Sequence, residues 1–298
     1  MKLNIISWAI DEEILTKIKS FYADNQVENP NEYVIFMAKV KGCSITIYHS
    51  LQAVFQGKNA QSEAEIFGYD PTVKWLYSSD HAGSDEVGTG DYFGPIVVVA
   101  SYVKEENLEE LNRLGIRDSK KLSDDFILTV GPKLIRKYPY SLMVLDNEKY
   151  NSLIKKGWNM NSLKAALHNQ ALHLLRKKVK DEEIPYFVVD QFTPAKNYYK
   201  YLEGQKNIVN DIKFTTKGES KSPAVALASI LARYVFLKKM EELAAYTGYV
   251  LPLGANEKVN QIIDRIVKEK GEAFLGKIAK INFKNTKKYQ ESLQETLF

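Results

Sequence analysis

Ser84-Asp85-Glu86-Val87-Gly88-Thr89-Gly90-Asp91-Tyr92-Phe93-Gly94-Pro95 is followed at once by an apolar, β-branched run over residues 96–99. Two carboxylates side by side at a strand end repel each other unless a positive charge lies between them. Hard divalent ions such as magnesium or manganese take carboxylate oxygens and would supply that charge. On a regular strand, neighbouring side chains point to opposite faces. Asp85 and Glu86 can therefore share a site only if the pleat ends there, and Gly88 and Gly90 are expected to end it. A backbone without side chains also lets a ligand come close and offers amide groups to a phosphate.

Working outward, strands and helices alternate from residue 79 onward. Strands are expected over 96–103, 141–145, 186–190 and 212–214. Helices are expected over 108–114, 124–137 with Ser123 as cap, 147–155, 161–178, near 195–203 and over 222–245. Leu163, Leu167, Leu174 and Leu175 mark one face of the helix over 161–178. This alternation predicts a mixed sheet flanked by helices. Ahead of it, an amphipathic helix over 11–23 precedes β-like runs at 33–40, 44–48 and 51–55. Asn59 can then cap a short helix over 60–67. These elements make a small α+β unit, and the boundary falls near residue 72, giving domains 1–72 and 73–298.

Composition narrows the function classes. The chain has 298 residues, of which 45% are hydrophobic, enough for a substantial core in one domain or two. Its single cysteine, Cys43, excludes an intrachain disulfide and a cysteine-rich metal site, and reads as a small buried residue. No apolar run approaches membrane-spanning length, and the N-terminus lacks the form of a signal peptide. A cytoplasmic location is expected. The net charge is +4. Residues 1–70 carry six basic and nine acidic side chains, a net of −3, so the remainder carries +7. A basic second region fits a polyanionic substrate.

Two further acids stand out. Asp190 closes the apolar run 187–189, and function in α/β sheets gathers at the carboxyl ends of strands. Glu219 lies in the loop before a helix whose first turn carries Pro223 and whose face is built of alanines. Taken singly, each could be an ordinary solvated or helix-capping carboxylate. The histidines at 49, 81, 168 and 173 show no metal-ligand spacing and read as structural.

The stretch 84–95 resembles the signature that opens the catalytic domain of the type 2 ribonucleases H, in the ribonuclease HIII branch. Asp118-Ser119-Lys120-Lys121-Leu122, residues 188–192 and residues 217–233 resemble other motifs of that family. Residues 55–60, with Glu63-Ala64, more loosely resemble its N-terminal domain of TATA-binding-protein-like fold. The resemblance implies an α/β ribonuclease H-like catalytic domain behind a substrate-binding domain. It also implies an endonuclease that cleaves the RNA strand of RNA–DNA hybrids, leaving 5′-phosphate and 3′-hydroxyl ends.

On that resemblance Asp85, Glu86, Asp190 and Glu219 are the catalytic acids and hold two magnesium or manganese ions. Gly88, Thr89 and Gly90 contact the ribose, and Lys120 and Lys121 the phosphates. Thr89, where the ribonuclease HII branch usually has Arg, implies cleavage within runs of ribonucleotides. Two alternatives stay open: nicking at single embedded ribonucleotides, and a hybrid-binding module without activity. No obligate protein partner and no membrane are implied, and a monomer is expected.

Overall fold

The computed structural model describes residues 5–29, 31–70, 75–116, 122–180 and 183–295. Two sheets organise it. The first is antiparallel, in the order β1-β4-β3-β2, built from β1 (Ile5–Ala9), β2 (Val34–Val40), β3 (Cys43–Tyr48) and β4 (Gln52–Gln56). Helices α1 (Glu12–Phe21) and α2 (Ala60–Glu65) cover one face. β3 alternates buried and half-buried residues, as a one-sided sheet requires. Asp11 caps α1 by accepting the Ile14 N–H at 2.8 Å.

The structure adds one element that was not expected and corrects one expectation. The N-terminal segment at 5–9 is a strand, paired with β4 in antiparallel register from Ile5↔Gln56 to Ala9↔Gln52. Asn59 does not cap α2 with its side chain; its Nδ2 donates instead to the Lys41 carbonyl at 2.9 Å and closes the β2–β3 turn.

The second sheet runs β7-β6-β5-β8-β9, from β5 (His81–Val87), β6 (Ile96–Val103), β7 (Tyr140–Leu145), β8 (Phe187–Asp190) and β9 (Ile212–Thr215). β5 lies at its centre, antiparallel to β6 and parallel to β8. Between the strands run α3 (Leu108–Arg113), α4 (Asp124–Lys137), α5 (Asn147–Lys155), α6 (Met160–Lys178) and α7 (Ala195–Tyr201). After β9 come α8 (Pro223–Thr247), α9 (Glu257–Lys270), α10 (Glu272–Ile278) and α11 (Lys284–Glu295).

α8 packs on one face of the sheet with α4 against it, and α6 packs on the other. The small face of α8 permits this closeness: Ala224, Ala226, Ala228 and Ala232 are all fully buried. Ser222 caps α8 and also bonds His81 Nε2 at 2.7 Å, tying the helix start to the start of β5.

The two sheets meet along a seam. Ile5 and Val54, on the face of the first sheet away from its helices, join the core of the second unit. Gly115, with φ +64°, lies against the Ser7 carbonyl so closely that a Cβ would overlap it. Beside the seam, Tyr33, Tyr48, His49 and Ser50 face Ser123, Asp124 and Asp125 across a groove of about 330 Å³. Among the described residues, no helix is long and apolar enough to cross a membrane.

Candidate active site

The site forms where the central parallel pair of strands gives out. β5 and β8 pair only as far as Ser84↔Val189, whereas β5 and β6 stay in register to Val87↔Val97. Gly88 ends the strand as expected, but the pleat stays regular through Asp85 and Glu86, contrary to the expectation that it ends at the acidic pair. Asp85 and Glu86 lie opposite Val99 and Val98 of β6 and point to opposite faces of the sheet. What lets both reach one cleft is the side of β5 along which β8 no longer pairs with it.

Asp85, Glu86 and Asp190 line one cleft of about 380 Å³ with Val87, Leu122 and Asp124. Ile127, Ser229, Ile230 and Arg233 complete its wall. Asp85 faces α8, with the Ser229 hydroxyl beside its carboxylate. Its Oδ1 accepts the Glu86 N–H at 2.8 Å. Burial pushes the Asp85 carboxyl up to about 8, with the Glu86 charge adding to it. The Glu86 amide and Ser229 oppose the shift, and Asp190 adds a little more. A carboxylate crowded by two others and penalised by burial is one that a cation would stabilise.

Glu86 turns to α6. Its Oε2 accepts from His168 Nε2 at 2.8 Å, and Lys164 forms an ion pair with its Oε1. His168 Nδ1 lies 2.8 Å from the Ser84 hydroxyl, so one ring joins the residue before the acidic pair to its glutamate. Burial alone would raise the Glu86 carboxyl, but the His168 hydrogen bond and charge, with Lys164 behind them, hold it down to about 2. Nothing in the local sequence marks Lys164 for this pairing, and His168, expected to be structural, bonds the glutamate of the acidic pair. The readable signal for His168 was the stripe His168, Ala171, Leu175, which carries a polar ring onto a buried helix face.

Asp190 ends β8 opposite Thr215, and its Oδ1 accepts the Gly218 N–H at 2.9 Å. Gly218 opens the 3-10 turn Gly218–Ser220 that holds Glu219, which is buried. Glu219 therefore stands one residue from a direct bond to Asp190, but it is not on the cleft wall with the other three acids. Among the described residues, no three carboxylate, imidazole or thiol groups are gathered closely enough to hold an ion as they stand. The donor set still fits divalent ions, since it offers oxygens from hard carboxylates on a shared cleft.

Gly88, Thr89 and Gly90 form the turn after β5. Gly88 is buried with φ +91°, and a Cβ there would overlap the Pro95 carbonyl, so the fold itself demands this glycine. Gly90 is exposed, and a Cβ there would meet nothing within 4 Å. The rest of the loop is held by the C-terminal segment. Lys280, fully buried, donates from Nζ to the carbonyls of Asp91 at 2.8 Å and Gly94 at 2.6 Å, and its N–H bonds the Tyr92 carbonyl. Burial pushes the Lys280 ammonium down to about 7, with Asp91 pulling the other way. Lys120 and Lys121 lie outside the described residues.

Known proteins of the same kind match nearly the whole chain. The model of the Ribonuclease HII family matches residues 82–286, and one described as a Domain of unknown function (DUF3378) matches residues 6–76. The chain is 40% identical over 305 residues to the ribonuclease HIII of Lysinibacillus sphaericus, covering 96% of this chain and 98% of that protein. It is 41% identical over 280 residues to the ribonuclease HIII of Lactococcus lactis, covering 93% and 94%. Among solved structures, Bst-RNase HIII in complex with Mn2+ superposes with a TM-score of 0.71 at 35% identity, covering 96% of this chain and 98% of the other.

Proposed function

This chain belongs to the ribonuclease HIII family, and from that membership we propose that Asp85, Glu86, Asp190 and Glu219 are its catalytic acids and hold two divalent ions. The chain is a metal-dependent endonuclease that hydrolyses the RNA strand of RNA–DNA hybrids. The reading of the acids is supported above all by one observation: Asp85, Glu86 and Asp190 share a cleft at the ends of β5 and β8.

When bound, the two ions supply an activated water and stabilise the leaving oxygen of an in-line displacement, leaving 5′-phosphate and 3′-hydroxyl ends. The chain's own residues prepare for this. The Glu86 amide orients the Asp85 carboxylate, with Ser229 beside it. His168 orients that of Glu86, and the Gly218 amide that of Asp190. Glu219 acts from the turn beside Asp190, on the side of the attacking water. The backbone of Gly88, Thr89 and Gly90 reads the ribose 2′-hydroxyl, and the open space at Gly90 supports a close approach there.

Lys120 and Lys121 contact phosphates. The preferred target is a run of ribonucleotides, and the first sheet holds the duplex by its backbone. Its open groove beside Tyr33 and Tyr48 reaches Asp124, which also lines the catalytic cleft. We place the junction of the two domains near residue 72, and the working protein as a monomer in the cytoplasm.

Replacing Asp85 with Asn tests the assignment. Cleavage of a hybrid in magnesium or manganese should be abolished, while the melting temperature and hybrid affinity stay near those of the parent. Unchanged cleavage by Asp85→Asn would refute the assignment.

A further inference from the structure

Glu86 already carries a cation. Lys164 pairs with its Oε1, and both side chains are only 12% exposed. The Lys164 ammonium also stands 4.1 Å from the centroid of the Phe192 ring, which stacks on His168 at 5.6 Å. With Oε1 on Lys164 and Oε2 on His168, both oxygens of Glu86 are committed to α6. An ammonium and a divalent ion cannot share one carboxylate oxygen without strong mutual repulsion in a site with so little solvent. Glu86 thus lines the cleft while both of its carboxylate oxygens are held by α6.

We propose that Lys164 is a stand-in cation: it holds the Glu86 carboxylate in place while no divalent ion is present, and gives up Oε1 when one enters. The exchange rests on Glu86 being a metal ligand, as assigned above. His168 stays on Oε2 throughout and keeps the carboxylate from swinging away. The released ammonium remains beside the Phe192 ring.

Direct titration of Mn2+ into the full-length protein without nucleic acid, followed by calorimetry, tests this independently of cleavage. Lys164→Met removes the competing charge, so Mn2+ should bind on the order of tenfold more tightly. Lys164→Arg, which keeps the charge, should bind as the parent does or more weakly. Lys164→Gln carries the same test if the Met variant fails to fold. Equal or weaker Mn2+ binding by the neutral variants would overturn the proposal, since a lysine that merely braces Glu86 would loosen the site when removed. Glu86→Gln separates the two readings: it should weaken Mn2+ binding, and if it does not, the assignment of Glu86 as a ligand fails as well.

Discussion

His81 shows how a residue outside the chemistry can govern the stability of the site. It is fully buried, stacked 5.3 Å from Tyr186, and bonded through Nδ1 to the Ser79 carbonyl and through Nε2 to Ser222. Burial holds its pKa down to about 4; the Ser79 bond and Asp80 oppose this, and Lys213 adds to it. Between pH 6.5 and 4 the unfolded chain binds a proton here and the folded chain does not. Stability from this group is therefore complete above pH 6.5 and is lost as pH falls to 4, by about 3 kcal/mol at most. Urea unfolding at pH 6.5 and 4.5 should show a steeper loss in the parent than in His81→Gln.

At this scale the sequence reading was uneven for a physical reason. Asp85 precedes a glycine turn and an apolar run, and Asp190 closes an apolar run, so each is marked by its near neighbours. The partners of Glu86 lie 78 or more positions away on α6, and only the folded sheet brings Lys164 and His168 to it.

The glycine turn after β5 contains two glycines with different duties. Gly88 sits at φ +91° with its missing Cβ aimed at the Pro95 carbonyl and the Phe236 ring. Gly88→Ala should cost about 3 kcal/mol or more, measured by chemical denaturation, from backbone strain and overlap together. Gly90 has open space around it. Gly90→Ala should change stability by no more than about 0.5 kcal/mol yet raise the KM for a hybrid several-fold. A Gly90→Ala enzyme with unaltered kinetics would remove that residue from the substrate seat.

Element boundaries were mostly legible. α4 begins where Ser123 was expected to cap it, and α5 spans the residues expected for it, with Asp146 as the cap the structure adds. β1 was not legible, because a short edge strand has no local signature until β4 pairs with it. The helix face chosen for α6 was off by part of a turn: Leu174 is 37% exposed, while His168 and Ala171 are buried.

The molecule works as two units joined along the contact of Ser7 with Gly115. Alanine at Gly115 would have to hold φ +64° and displace the Ser7 carbonyl, tilting the first sheet against α3. Gly115→Ala should raise the KM for long hybrids while leaving kcat within about twofold, because the acids sit on the other sheet. A fall in kcat with KM unchanged would mean that the seam shapes the acidic cleft instead. The division into a small α+β unit and a mixed-sheet unit was readable from the order of predicted elements. Their docking was not, because Ile5 and Val54 look like ordinary strand residues until the face they share meets the second core.

Lys280 joins the C-terminal part of the chain to the loop at 91–94. Synthesis on the ribosome runs from the N-terminus, so β5 emerges long before its loop can acquire these ammonium bonds. A nascent chain halted before residue 280 would carry Asp85, Glu86, Asp190 and Glu219 but would lack the clamp that sets the loop beside them. Such a shortened chain should therefore cleave hybrids far more slowly than the parent, although all four acids are present.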